Sequence, residues 1–217
     1  MMFFRKNDEK KLKKVNDMTM IMNLINNVGQ YSVNKTETDF LEMVPGLWIN
    51  GEMHWMRENI LYLPEAGVSA QCEKIDILPD VNFFEILVHG KAEMPVKGKL
   101  VIMYRQRDVS ANSFAFISPS ENVIFHLHHD AVYLVDGTNG TENIQQCTVL
   151  PYSKVETGDI WSSQPEGSLY YQPMSQGAFA SLHSFELRFD GSETVSYRTW
   201  CIRGTEKEAL LKINRSF

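Results

Sequence analysis

Three histidines and an aspartate lie within five residues in the segment HLHHD, residues 126–130. If the preceding NVIF continues through it as a strand, side chains alternate between faces, so His126, His128 and Asp130 share one side. Two imidazoles at i and i+2 with a nearby carboxylate are a workable ligand set for a divalent metal: iron, manganese, nickel or zinc. The alternative is a polar strand end, satisfied by hydrogen bonds or solvent, that holds no cofactor.

A second segment, ETGDIWSSQPEGSLYYQP, follows at residues 156–173. Gly158-Asp159 and Pro165-Glu166-Gly167 punctuate two short strands there. Trp161 and Tyr170 are the aromatic side chains that we expect to contact a ligand, since such rings offer both apolar area and a polar handle. Tyr170 or His183 is also a candidate for a further metal ligand from a neighbouring strand.

Together these two segments resemble the two signature motifs of the cupin superfamily, which are small jelly-roll barrels. Asp130 lies seven residues before Gly137, as the glutamate of the first cupin motif lies before its glycine. His126 takes the place of that motif's second histidine. The second motif is matched by the glycines, aspartate and proline of its turns, with one extra residue: Gly158, Asp159, Pro165 and Gly167.

The resemblance covers residues 123–174, and it implies a metal held inside a barrel by histidines and an acid. Two positions depart from the pattern. Ile124 stands where the first histidine of the first motif falls, and Tyr170 stands where the second motif has its histidine. The family's ligand set is therefore present only in part.

Other catalytic motifs are missing from the sequence. It contains no G-x-S-x-G nucleophile elbow, no G-x-x-x-x-G-K loop and no G-x-G-x-x-G fingerprint. No cysteine has a histidine or a basic cluster beside it in sequence, which is the setting that activates a thiol. These observations favour a protein without catalytic activity, and they leave a metal-dependent cupin-like enzyme as the alternative.

Short apolar runs recur from residue 46 onward, separated by Gly, Pro, Asn and Asp clusters. About a dozen such runs at regular spacing are typical of a β-sandwich or barrel. We therefore predict an all-β, jelly-roll or β-sandwich domain over residues 40–217. Near its end, Phe185, Leu187 and Phe189 alternate with polar residues, Asp190-Gly191 forms a turn and a second strand follows, which predicts a hairpin.

Helices are predicted at both ends of the chain. Apolar residues recur at helical spacing between Asp8 and Val28, and Gly29 follows where a helix would end. Six Lys and Arg residues make the first part of this segment basic. Residues 1–30 are interpreted as a solvated helix packed on the domain, as a helical arm that docks on a partner chain or an acidic surface, or as a segment that contacts a membrane. Thr205 and Glu208 have the spacing of a capping box, which predicts a short final helix through Asn214.

Bulk composition narrows the class of partner. The 217 residues are 43% hydrophobic and 22% charged, as in an ordinary globular protein. The net charge of -6 makes nucleic acid an unexpected partner, because phosphate binding needs clustered positive charge. Three scattered cysteines indicate a reduced compartment, and we expect no signal peptide and no membrane span. The expected location is intracellular: cytoplasmic or assembled into a particle.

Three functions remain. The first is a non-catalytic assembly or recognition protein, a homo-oligomer or a subunit of a larger, virion-type assembly, formed through the N-terminal arm. The second is the metal-dependent cupin-like oxygenase, isomerase or lyase acting on a small molecule. The third is a sugar-binding module, which rests on aromatic residues alone, among them Trp48, Trp55 and Tyr62, whose other use is packing in the core or at a sheet edge. Jelly rolls serve all three roles, and the fold does not choose among them.

Overall fold

Short β-strands dominate the part of the chain that the structure describes. The structure is a computed structural model, and it describes residues 40–91, 96–107 and 113–217. The strands are β1 Leu41–Ile49, β2 Glu52–Trp55, β3 Ile60–Leu63, β4 Val68–Leu78, β5 Val81–Lys91, β6 Val96–Gln106, β7 Phe114–Ser118, β8 Val123–His128, β9 Ala131–Thr138, β10 Gln146–Pro151, β11 Trp161–Ser163, β12 Ser168–Leu169, β13 Met174–Gln176, β14 Phe179–Phe189 and β15 Ser192–Gly204. The helices are α1 Tyr152–Glu156 and α2 Lys207–Asn214, with single 3-10 turns at Pro64–Ala66 and Gln164–Glu166.

Two large antiparallel sheets carry the fold. One has five strands in the order β10-β14-β6-β1-β2, and the other has eight in the order β13-β7-β8-β9-β15-β5-β4-β3. Strands β11 and β12 form a small separate ribbon. The prediction of an all-β sandwich is confirmed.

The connections between the sheets interleave. Strand β14 lies between β6 and β10 in one sheet, while β15 lies between β5 and β9 in the other. Each of the pairs β5–β6, β9–β10 and β14–β15 thus crosses from one sheet to the other, and the last pair inserts between the first two. This is the interleaving of a jelly roll.

The predicted hairpin at Asp190-Gly191 is wrong in its pairing. The alternation itself is correct, because Phe185, Leu187 and Phe189 are all fully buried. The turn, however, joins strands of different sheets: β14 pairs with β6 and β10, and β15 pairs with β5 and β9. A turn signal shows where a chain reverses, but the strand that each half then joins is decided by long-range packing.

Apolar side chains form three layers. The largest cluster fills the space between the sheets and includes Leu47, Ile86, Ile102, Phe179 and Phe185. The outer face of the five-stranded sheet is covered by the segment around α1, β11 and β12. Part of the outer face of the eight-stranded sheet is covered by α2, through Leu210 and Leu211. Both faces of much of each sheet are therefore buried.

The short C-terminal helix is confirmed, but its predicted capping box is not. The N-cap residue is Glu206, and no side chain caps the helix. The N-terminal helix predicted between Asp8 and Val28 lies outside the described residues. In the described part of the chain, no helix has the length and apolarity needed to cross a bilayer.

Candidate functional site

Strand β8 carries the histidines of the HLHHD segment. Ile124 and His126 are fully buried and face the space between the sheets, while Phe125 faces the cluster under α2. This confirms the alternation predicted for the strand. The strand ends at His128, and His129 with Asp130 forms the turn into β9, His129 having a φ of 49°. Asp130 is therefore an exposed turn residue and does not continue the face of His126 and His128.

His126 has a protein partner in the opposite sheet. Its Nε2 lies 2.9 Å from Oγ of Ser181 on β14, and its ring lies 5.3 Å from the ring of Phe179. Burial lowers the pKa of His126 to about 3, because the charged imidazolium loses its hydration. The ring is neutral at physiological pH. Its Nδ1 is buried without a hydrogen-bond partner in the described structure.

His128 has different neighbours. Its Nδ1 lies 2.9 Å from Oγ of Ser113, and its ring stacks on Phe40 with centroids 4.0 Å apart. The ring of His129 is 4.1 Å away on the exposed side. Across residues 40–91, 96–107 and 113–217, no cluster of three or more His, Cys, Asp and Glu side chains suits a metal ion. A metal at His126, His128 and Asp130 stays a prediction, and the structure does not bring the three side chains to a common point.

His183 is the interior histidine that the sequence placed poorly. The sequence named it only as a candidate further metal ligand, and in the structure it lies within β14, which begins at Phe179, and is fully buried. Its Nε2 lies 3.4 Å from Oγ1 of Thr199, which donates to the carbonyl of Asp136 and lies 3.0 Å from the hydroxyl of Tyr104. Because the single Thr199 proton is used on Asp136, Thr199 accepts from Tyr104 and His183.

The interior polar groups are therefore arranged for hydrogen bonding across the sandwich. Burial lowers the pKa of His183 to about 3 and raises the pKa of Tyr104 far above its ordinary value. Both groups are neutral in the physiological range. The rings of Tyr104 and Phe185 lie beside His183, with centroids 6.1 Å and 5.7 Å from its ring.

Trp161 and Tyr170 lie at the small β11–β12 ribbon on the outer face of the five-stranded sheet. Trp161 is half-buried, with its ring 6.3 Å from that of Trp48. Tyr170 is 46% exposed, and Nζ of Lys154 lies 4.8 Å from its ring centroid. The turn between the strands needs Gly167, whose φ is 61° and which lies against the Trp48 ring. The two predicted aromatics are thus on one surface, remote from the interior histidines.

Three exposed apolar side chains lie on the two edge strands of the eight-stranded sheet. In the described part of the chain, the large hydrophobic side chains that are strongly exposed are Ile60, Tyr62, Tyr170, Tyr171 and Met174. Ile60 and Tyr62 are on edge strand β3, and Met174 is on the opposite edge strand β13. Tyr170 directly follows β12 at the small ribbon, and two residues separate Tyr171 from Met174. Tyr62 was predicted from the sequence only as a candidate sugar-stacking ring, and Ile60 was not predicted at all. The signal was the uncharged run ILYL, closed by a proline, which is unusual for an edge strand.

Comparison with known proteins assigns no function to these residues. No family model matches the chain, and no curated protein matches it significantly in sequence.

Proposed function

We propose that this protein is a non-catalytic β-sandwich subunit that works by assembling with other protein chains. The observation that carries the proposal is the position of its exposed apolar side chains. Ile60, Tyr62 and Met174 lie on the two edge strands of one sheet. Edge strands present unpaired backbone groups, and apolar side chains beside those groups favour pairing with another chain.

The interior supports the same proposal. His126 and His183, the buried imidazoles, are neutral and hydrogen-bonded to Ser181 and Thr199 across the sandwich. Aromatic side chains surround them. Groups held in this way stabilise a scaffold, whereas a general acid or base needs a pKa near the working pH and access to a substrate.

Sedimentation velocity of the untagged full chain over a wide range of concentration tests the proposal. A subunit that assembles gives species larger than the monomer, whose share grows with concentration. The proposed role of the basic N-terminal arm is tested by Lys13→Gln with Lys14→Gln, which should weaken the assembly. Lys91→Gln with Lys97→Gln removes the same charge from exposed positions of the β domain and serves as the matched control. A chain that is monomeric at every concentration and binds no other protein would contradict the proposal.

A metal-dependent enzyme of the cupin type is the second candidate function. Two observations favour it: the jelly-roll interleaving, and the entry of His126 and His183 into the interior from opposite sheets. Each of these two rings has a buried Nδ1 without a hydrogen-bond partner in the described structure, and such atoms need an explanation. Elemental mass spectrometry of untagged protein distinguishes the metal-dependent enzyme from the non-catalytic subunit. Stoichiometric iron, manganese, nickel or zinc, lost in His126→Ala with His128→Ala, would favour the enzyme; protein that stays free of metal after incubation with each ion would remove it.

A sugar-binding module is the third candidate, and its support is the exposure of Tyr170 and Tyr171. Exposed aromatic rings stack on the apolar faces of sugars as well as on protein partners. Binding on a glycan array that is lost in Tyr170→Ala would favour this function, and an array without signal would remove it.

A further inference from the structure

Strand β3 is an edge strand without the usual protection against pairing. Its four residues are all apolar, and Ile60 and Tyr62 are 65% and 68% exposed while Leu61 and Leu63 are half-buried. Natural edge strands usually carry a lysine, a proline or an inward-pointing charge that prevents pairing with another chain. In this strand the proline is Pro64, which follows the last residue and leaves the strand itself open.

The backbone of β3 directs N–H and C=O groups outward at the same two residues, and no further strand lies beside them in the described part of the chain. The N–H of Cys72 donates to the carbonyl of Asn59, and Ile60 lies opposite Gln71. Because hydrogen-bonded and non-hydrogen-bonded pairs alternate in an antiparallel ladder, Leu61 is bonded to β4, whereas Ile60 and Tyr62 point their N–H and C=O groups away from it. The exposed side chains and the outward backbone groups thus belong to the same residues.

We propose that β3 pairs antiparallel with β3 of a second copy of this chain, with Leu61 opposite Leu61 of that copy. This inference rests on the proposed assembly function and names the partner and the surface. The two-fold axis places Ile60 opposite Tyr62 of the second copy, and Tyr62 opposite its Ile60. Each of these pairs exchanges both backbone hydrogen bonds, so every outward group of the two residues is satisfied. The two eight-stranded sheets become continuous.

Side chains match in the same register. On the outer face, each Ile60 lies beside Tyr62 of the other copy, and aromatic rings paired with β-branched side chains are favourable cross-strand neighbours. Beyond the strand ends, Arg57 and Glu65 are exposed side chains of opposite charge. The two-fold axis brings the Arg57 end of each β3 towards the Glu65 end of the other, and does so twice. An isologous contact requires such self-complementarity.

The opposite edge of the sheet fits a second copy less well. The N–H of Val149 on β10 donates to the carbonyl of Gln172, and the side-chain amide of Gln172 donates to the carbonyl of Met174. Strand β13 is therefore bridged to the five-stranded sheet and has part of its backbone already used. This difference selects β3 as the pairing edge.

Disulfide trapping tests the register. In the proposed dimer the two Leu61 residues form a non-hydrogen-bonded pair, whose Cα atoms are about 4.5 Å apart, within the range that a disulfide spans. Leu61→Cys should give a covalent dimer under mild oxidation. Leu63→Cys has the same half-burial and faces the same side, but it lies opposite Asn59 of the second copy and should stay monomeric on a denaturing gel. The native Cys72, Cys147 and Cys201 are common to both variants and to the wild type. Cross-linking through Leu63→Cys in preference to Leu61→Cys would overturn the register.

Paired charge variants test the surface without a cross-link. Ile60→Lys with Tyr62→Lys sets like charges against each other twice and should abolish the dimer in sedimentation velocity. Ile60→Lys with Tyr62→Glu sets opposite charges against each other at both places and should restore it. Oligomers that persist in the first variant would overturn this inference while leaving the assembly function standing. A wild-type chain that is monomeric throughout, together with no cross-link at Leu61→Cys, would overturn both.

Discussion

The imidazole of His126 on β8 and the hydroxyl of Ser181 on β14 meet across the interior of the sandwich, with Nε2 and Oγ 2.9 Å apart. The contact joins the two sheets at a point where both flanking faces are apolar. A buried polar atom without a partner is costly, so each residue fixes the position of the other. His183 and Thr199 form a second, longer contact of the same kind.

These contacts predict acid sensitivity. The pKa of both His126 and His183 falls from 6.5 in the unfolded chain to about 3 in the folded protein. Between pH 6.5 and about 3, the unfolded state binds protons at these two histidines and the folded state does not. With respect to these two groups, the unfolding free energy is therefore highest above pH 6.5, and it declines as the pH falls towards 3. Each histidine should remove about 1.4 kcal/mol of unfolding free energy per pH unit.

Urea unfolding followed between pH 7 and about 5 measures this slope, since most carboxylates titrate below that window. His183→Gln should lower the stability at neutral pH and reduce the slope by about half. His54→Gln, the same substitution at a half-exposed position outside the interior, is the control. An unchanged slope in His183→Gln would contradict a buried, neutral His183.

A separate prediction concerns Gly167, in the turn that lies against the Trp48 ring. A Cβ at this position would lie 2.8 Å from the Trp48 ring, and the φ of 61° is unfavourable for any other residue. Gly167→Ala should therefore cost about 2–3 kcal/mol of unfolding free energy. Gly158 has a similar φ of 76° with open space around its Cβ. Gly158→Ala should cost only about 1 kcal/mol, and equal costs in a urea titration would rule out the contact with Trp48.

The sequence predicted the faces of strands better than their partners. The period of two grouped His126 with Ile124, and Phe185 with Phe189, on common faces, because the alternation of faces is a local property of a strand. Ser181 lies 55 residues from His126, and no local pattern links the two. The turn at Asp190-Gly191 was predicted correctly as a reversal, yet its strands join different sheets. Residues of a site that comes together across two sheets are found only when the sheet order is known.

A buried ion pair gives the next prediction. Nζ of Lys99 lies 3.0 Å from Oε1 of Glu186, and the Lys99 side chain is only 7% exposed, whereas Glu186 is 34% exposed. Glu186→Gln should destabilise the protein by at least about 1 kcal/mol, because it leaves a buried ammonium without its counter-charge. Lys99→Met should cost less, since it removes the buried charge and keeps a side chain of similar length. Thermal unfolding of both variants checks this order, and the reverse order would contradict the burial of Lys99.

The last prediction concerns Asn214, whose side chain hydrogen-bonds the end of α2 to the eight-stranded sheet. Its Oδ1 accepts from Nε1 of Trp200 at 2.6 Å, and its Nδ2 donates to Oδ2 of Asp136 at 2.8 Å. Asn214→Ala leaves both partners without this contact in a half-buried site, and it should cost about 2–3 kcal/mol. Hydrogen exchange should rise in α2 before it rises in the sheet. Glu208→Gln, an exposed change on the same helix, is the control.

Asn214→Asp separates the charge of this site from its packing. The new carboxylate still accepts from Trp200, but it faces Asp136, whose pKa burial already raises. Two carboxylates at this distance cannot both ionise cheaply, so the pair should retain a proton above the usual pKa of either acid. The variant should be least stable near neutral pH, and its deficit against wild type should shrink as the pH falls and the pair takes up that proton. A deficit that does not change with pH in urea titrations would mean that Asp136 faces solvent and not Asn214.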